Sequence, residues 1–436
     1  MQYYSTNGNT PKVSLQTAVV KGLAADRGLF MPERIPVLPR AFFNNIGEMS
    51  LQDISYVVAN TLFGDDIEDT TLKDIVYDTL NFDIPLKYVT GNKYSLELFH
   101  GPTLAFKDVG ARFMARLLGC FNKLSNGDGS MVNVLVATSG DTGSAVANGF
   151  LGVPGVRVFV LYPQGKVSRI QEAQFTTLGQ NITAIEVNGT FDDCQALVKN
   201  AFMDEELNAH MKLTSANSIN VARFLPQMFY YFYAYAQLLK RGQDVSNIVV
   251  SVPSGNFGNI TAGLIGKRMG LPIKRFIAAN NSNDIFFQYL KTGVYSPKSS
   301  IATIANAMDV GDPSNFARVL DLYRHSHDAV CAEISGYTYT DEQIAETVAE
   351  TYKNTGYLLD PHGAVAYRSL EEGLEPEETG IFLETAHPAK FKATVEAVIG
   401  EEMDIPDKLA AFLNRDKKTV KMNSGFMSFK NYLMSV

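Results

Sequence analysis

The stretch Val132-Asn133-Val134-Leu135-Val136-Ala137-Thr138-Ser139-Gly140-Asp141-Thr142-Gly143 changes character at its midpoint. The first half is a short valine-rich run, and the second is a cluster of small polar residues. The apolar run predicts a strand, the polar cluster a turn, and the residues from Thr142 onward a helix. A strand that ends in a polar turn and opens a helix is half of a βαβ unit. The same texture returns downstream, with Val156 to Leu161, a helix near Val167, and Ile182 to Val187. A second series contains Ile248 to Val252, a helix after Phe257, Ile273 to Ala278, a helix near Asp284, and later Gly380 to Leu383. Strands alternating with helices predict an α/β protein with mostly parallel sheets. Such folds bind ligands at the carboxyl ends of their strands.

Upstream the pattern differs. Residues 1–92 read as mostly helical, as in Leu51 to Phe63 and Asp65 to Leu80, punctuated by Pro32, Pro36 and Pro39. The expected organisation is a helical N-terminal domain over 1–92 and two three-layer α/β domains over 93–225 and 226–400. A C-terminal extension covers 401–436. The 436 residues are 46% hydrophobic and 19% charged, enough to build more than one core. A net charge of −8 without a Lys/Arg-rich run argues against a nucleic-acid surface. Cys120, Cys194 and Cys331 are scattered without metal-ligand spacing, so neither a disulfide framework nor a metal site is expected. The N-terminus lacks a signal-like segment, and the most apolar stretch, Phe224 to Leu239, reads as a buried helix. A cytoplasmic protein without a membrane partner is expected.

Four places carry chemistry. In His100-Gly101-Pro102-Thr103-Leu104-Ala105-Phe106-Lys107-Asp108, a turn feeds a helix with Lys107 at its head, behind a mainly apolar run. Partial desolvation there would lower the amine's pKa and free it for Schiff-base formation; a snorkelling surface lysine is the plainer alternative. Thr138 to Gly143 opens a helix whose N-terminal amides and dipole suit a carboxylate or phosphate. A simple turn capped by Ser139 or Asp141 would look similar. Ser254-Gly255-Asn256-Phe257-Gly258-Asn259 follows a strand and resembles a phosphate cradle, but it is neither a Walker loop nor a dinucleotide fingerprint. Glu384-Thr385-Ala386-His387-Pro388-Ala389-Lys390-Phe391 sets a hydroxyl, an imidazole and an amine at a strand end. The Thr385 hydroxyl suits a pyridine nitrogen; a turn in which Thr385 caps the next helix is the alternative. A further set, Asn217, Ser218 and Arg223, suits a second phosphate, or else an ordinary cap beside a surface arginine. Taken together, these groups describe a pyridoxal-phosphate enzyme acting on an amino acid.

These stretches also resemble the threonine synthase family, in its longer branch with an N-terminal domain and the tryptophan-synthase-like fold type II. Asp26-Arg27-Gly28-Leu29-Phe30, Ala307-Met308-Asp309-Val310-Gly311 before Pro313-Ser314-Asn315, and Asp360-Pro361-His362-Gly363-Ala364-Val365 add to the resemblance, which covers nearly the whole chain. The resemblance implies a carbon–oxygen lyase acting on phosphates, which converts O-phospho-L-homoserine and water to L-threonine and phosphate in the last step of threonine biosynthesis. It makes Lys107 the Schiff-base residue and later the base, Ser254, Gly255, Asn256, Phe257, Gly258 and Asn259 the cofactor-phosphate loop, and Thr385 the ring-nitrogen partner. Thr138, Ser139, Asp141 and Thr142 would hold the substrate carboxylate, and Asn217, Ser218 and Arg223 the substrate phosphate. Asp141 stands where relatives of the wider fold carry Asn. The resemblance further implies a monomer. A threonine or serine dehydratase, or an amino-acid phospholyase, would share the lysine without needing the second phosphate set.

Overall fold

The structure, a computed structural model, describes residues 1–124 and 131–436, with Leu124 as backbone only. The chain divides into two interleaved compact units. One contains Met1, Met31–Phe106 and Phe224–Asp404; the other contains Gln2–Phe30, Lys107–Arg223 and Ile405–Val436. The segment 1–92, expected as one helical domain, is thus shared between the units. Its helix Leu51–Phe63 lies where periodicity places it, capped by the Ser50 side chain on the Asp53 amide.

The unit that holds Lys107 is built on a five-stranded sheet in the order Val420–Asn423, Ile182–Asn188, Val156–Pro163, Val132–Ala137, Lys212–Ser215. Every neighbouring pair is parallel. Val132–Ala137 is buried along its whole length, which is why it reads as an apolar run and not as an alternating strand. Leu135, Phe159 and Ile185 pack with Leu197 of the helix Phe191–Met203 and with Phe429 and Leu433 of the final helix Phe426–Ser435. Thr190 and Asp193 form a capping box that starts the first of these helices. The C-terminal residues therefore complete this sheet's edge and cover its core.

The other unit carries a six-stranded sheet in the order Ile334–Thr338, Ile273–Asn280, Ile248–Pro253, Thr379–Glu384, Lys93–Glu97, Leu86–Thr90. Its pairs are parallel except for the last, which is antiparallel. The helices Asp341–Thr355 and Pro361–Gly373 cover it, with Val348, Val365 and Leu370 packed on Val249, Ile277 and Phe382. The predicted strands all form. Among the described residues, the strands that sequence reading did not single out, such as Lys93–Glu97 and Lys212–Ser215, are short. No described helix is long and apolar enough to cross a membrane.

Candidate active site

In each unit the candidate loops leave neighbouring parallel strands, so sheet topology gathers them at one carboxyl edge. In the five-stranded sheet these strands are Val132–Ala137, which leads into Thr138 to Gly143, and Lys212–Ser215, which leads into Ala216 to Arg223. In the six-stranded sheet they are Ile248–Pro253, before Ser254, and Thr379–Glu384, before Thr385.

Lys107 is the first residue of the helix Lys107–Leu124 and is half-buried, as its apolar approach predicts. The approach itself is pinned to the end of the Thr379–Glu384 strand. Phe106 donates its amide to the Thr385 carbonyl at 2.9 Å, and His387 donates to the Leu104 carbonyl at 3.0 Å. Ala105 and Ala386 form an antiparallel bridge. Leu104 takes a left-handed φ of 58°, an unfavourable conformation for a branched residue that these bonds hold in place. Lys390, buried, donates through Nζ to the Thr103 carbonyl at 2.8 Å, so its amine serves the loop's structure. His387 accepts the Ala389 amide through Nδ1 at 3.1 Å, making it the cap of the short turn in place of Thr385. The Thr385 hydroxyl makes no hydrogen bond to protein among the described residues, although the residue is only 6% exposed.

Helix Asp141–Phe150 starts with Gly140 as its N-cap and no side-chain cap of its own, so neither Ser139 nor Asp141 caps it. The Thr138 hydroxyl accepts from the amides of Gly140 at 2.9 Å and Gly143 at 2.8 Å, shaping the turn from beneath. Asp141 is buried, and its Oδ1 accepts from Gln171 Nε2 at 2.9 Å. Beside this turn, Asn217 Nδ2 donates to the Ala137 carbonyl at 3.3 Å. Arg223 lies deeper than a surface arginine. It is 3% exposed, and it donates through Nε to the Ala216 carbonyl at 2.6 Å and through Nη1 to the Lys107 carbonyl at 3.1 Å. Burial pushes its guanidinium down to about 10, partly offset by the charge of Asp108. Lys107, Thr138 to Thr142 and Asn217 to Arg223 are thus brought together within one unit.

The Ser254 to Asn259 loop opens the eleven-residue helix Gly258–Arg268, whose head is buried and has no side-chain cap. Phe257, its N-cap, takes a left-handed φ of 64° and packs its ring on Phe286 at 4.6 Å. A Cβ on Gly255 would stand 2.9 Å from the Ala307 carbonyl oxygen, so only glycine allows the loop to lie this close to the next segment. Asn256 is held on both sides, by the Ser314 hydroxyl at 3.1 Å and the Asn315 amide at 3.1 Å. Asn259 Oδ1 accepts from Tyr230 at 2.6 Å and Tyr231 at 2.7 Å, leaving its buried Nδ2 unpartnered. A buried helix head with open amides is a site for a phosphate dianion, and the unpartnered Thr385 hydroxyl suits a neutral ring nitrogen. These groups fit pyridoxal phosphate.

Sequence reading did not assign Glu384, Asp360 or His362. Glu384 is fully buried and accepts the Asp360 amide at 2.5 Å. Asp360 and His362 lie in the quoted run Asp360 to Val365, and Glu384 opens the quoted run Glu384 to Phe391.

Residues 94–383 match the family described as pyridoxal-phosphate dependent enzyme, residues 2–80 the threonine synthase N terminus, and residues 363–432 the threonine synthase C-terminal region. The chain is 46% identical over 435 residues to a threonine synthase of Haemophilus influenzae, with 100% of each covered. It is similar to the crystal structure of threonine synthase from Escherichia coli, with a TM-score of 0.92 and 44% identity, all of both chains being covered. For the PLP-bound threonine synthase of Brucella melitensis the TM-score is 0.93 at 33% identity, covering 100% of this chain and 99% of that one.

Proposed function

The chain belongs to the threonine synthase family of pyridoxal-phosphate-dependent lyases, and on that premise we propose that it converts O-phospho-L-homoserine and water to L-threonine and inorganic phosphate. A carbon–oxygen bond at Cγ breaks and one at Cβ forms, so atoms balance without a further reactant. The observation that carries the reading is the grouping of two anion-type sets at the Lys107 helix. Arg223 bonds the Lys107 carbonyl, and Asn217 bonds Ala137 at the root of the Thr138 turn. An amino-acid phosphate presents both a carboxylate and a phosphate to such a pair.

When bound, pyridoxal phosphate supplies an electron sink that acidifies first Cα and then Cβ of the substrate. Lys107 would hold the cofactor through its amine, and the same amine, once free, is the general base placed to take the α-proton. Thr138, Ser139, Asp141 and Thr142 orient the substrate carboxylate at the Asp141–Phe150 helix head. Asn217, Ser218 and Arg223 hold the γ-phosphate as it leaves. Ser254, Gly255, Asn256, Phe257, Gly258 and Asn259 would hold the cofactor phosphate, and the Thr385 hydroxyl would meet the ring nitrogen without requiring it to be protonated. The expected partition into domains at 92, 225 and 400 belongs to this proposal as a functional division, with the Lys107 helix in the second segment and the cofactor-phosphate loop in the third. Resemblance to monomeric relatives supports a monomer, and three free thiols support a reducing compartment such as the cytoplasm.

The test is phosphate release from O-phospho-L-homoserine with identification of the organic product. Threonine in step with phosphate is the expected result. Release of 2-oxobutyrate would instead make the protein a deaminating lyase of the same fold.

A further inference from the structure

Asp360 and His362 form a fully enclosed pair behind the cofactor-phosphate loop, and the bonding leaves the imidazole one tautomer. The Ala307 amide donates to His362 Nε2 at 3.1 Å, so Nε2 carries no proton. The proton is on Nδ1, which donates to Asp360 Oδ1 at 2.5 Å. Asp360 is itself fixed, because it caps the helix Pro361–Gly373, accepting the amides of His362 at 2.8 Å and Gly363 at 3.3 Å, and its own amide goes to Glu384. The ring of Phe391 lies 4.9 Å from the imidazole. His362 is 2% exposed and has little freedom to turn.

What His362 holds is the wall of the loop. The Ala307 carbonyl and the Met308 Cα would stand 2.9 and 3.0 Å from a Cβ at Gly255. A few residues further on, Ser314 and Asn315 bond Asn256. The segment from Ala307 to Asn315 therefore runs along the outside of the loop. Asn281 Nδ2 holds the flanking residues, donating to the Ala305 carbonyl at 3.2 Å and to Asp309 Oδ1 at 2.9 Å, while the Ala307 amide, next to the Gly255 contact, goes to His362.

We propose that His362, held in its Nδ1–H tautomer by Asp360, is a positioning residue for the cofactor's phosphate: its bond to the Ala307 amide sets Ala307 against Gly255 and so fixes the spacing of the amides in Ser254 to Asn259. The inference rests on reading that loop as the phosphate cup. His362 acts through Ala307 and not by touching the reacting atoms. Removing the acceptor lets Ala307 move away from Gly255, and the amides lose the arrangement that favours a phosphate over water.

The experiment titrates the full-length chain, stripped of cofactor, with pyridoxal 5′-phosphate and separately with pyridoxal, which lacks the phosphate, and measures binding by equilibrium dialysis. His362→Ala should weaken pyridoxal phosphate by about tenfold or more while pyridoxal changes by less than about twofold. His362→Gln, whose amide oxygen reaches as far as Nε2, should return the phosphate form to within about threefold of wild type. His362→Asn still reaches Asp360 but not Ala307 and should behave like the alanine variant, so the inference stays testable if His362→Ala fails to fold. Equal weakening of both ligands, or a glutamine variant as weak as the asparagine one, overturns the inference. Gly255→Ala presses the same contact from the loop side and separates the two readings. If it loses pyridoxal phosphate selectively and the His362 variants do not, positioning by His362 is wrong and the cup stands. If no variant is selective, the cup reading fails and takes this inference with it.

Discussion

Arg223 Nη1 donates to the main-chain carbonyl oxygen of Lys107 at 3.1 Å, joining two residues 116 positions apart. The bond puts a buried guanidinium directly behind the residue proposed to carry the cofactor. Arg223 thus has a structural duty in addition to any contact with the substrate phosphate. Arg223→Ala leaves the carbonyls of Lys107 and Ala216 without this donor and should cost about 3 kcal/mol of stability, measured by urea unfolding. If Arg223 also holds the substrate phosphate, KM for O-phospho-L-homoserine rises by about tenfold or more. An unchanged KM with lowered stability would leave only the brace. Arg223→Lys keeps the charge without the fork and should recover little of either effect.

The same brace depends on a glycine in the facing helix. A Cβ at Gly110 would stand 2.2 Å from the Arg223 carbonyl oxygen, a backbone atom that cannot swing aside. Gly110→Ala should destabilise the protein by about 1–3 kcal/mol and raise KM for the substrate, because the strain falls on the segment bearing Arg223. A variant with wild-type urea midpoint and KM would count against this close approach.

Lys107→Ala should lower turnover by roughly 10³-fold or more and remove the visible absorbance of covalently held cofactor. Absorption spectra of the purified variant, before and after added pyridoxal phosphate, are the check. Persistence of both absorbance and turnover would move the covalent role to another amine.

Glu384 predicts a pH effect. Burial first, and then the charge of Asp360, hold its carboxyl well above the usual carboxylate range, and its buried Oε2 has no hydrogen-bond partner among the described residues. The folded state therefore keeps a proton that the unfolded chain has lost, and stability falls as pH rises from the ordinary glutamate range towards the raised folded value. Glu384→Gln supplies the same acceptor to the Asp360 amide and an N–H in place of the acid proton. It should fold well and show a flatter loss of stability with rising pH, read from urea midpoints across a pH series. Parallel curves for variant and wild type would show that the carboxyl is not the group responsible.

Legibility of the site followed burial. Runs such as Val132 to Ala137 and Ile248 to Pro253, buried on both faces, stand out as apolar stretches that end in small polar residues. Lys93–Glu97 and Lys212–Ser215 hardly stand out, being short and partly polar, yet each lies beside a strand that carries a candidate loop. Arg223 reads locally as an ordinary residue near a helix cap; only packing makes it buried. His362 lies in a stretch singled out by resemblance, but its purpose depends on Ala307 folding over it from 55 positions away.

The sequence by itself determined the βα units, the small polar residues after particular strands, and a lysine at a helix head behind an apolar run. These are short-range matters of side-chain period, turn chemistry and capping, settled within about ten residues of chain. Only the tertiary structure decided which loops share a sheet edge, that Arg223 faces the Lys107 carbonyl, and that the Asp360–His362 pair sits behind the phosphate loop. Those relations join residues far apart in the chain, and they arise because burying the core of each unit fixes pairings that no local segment can specify.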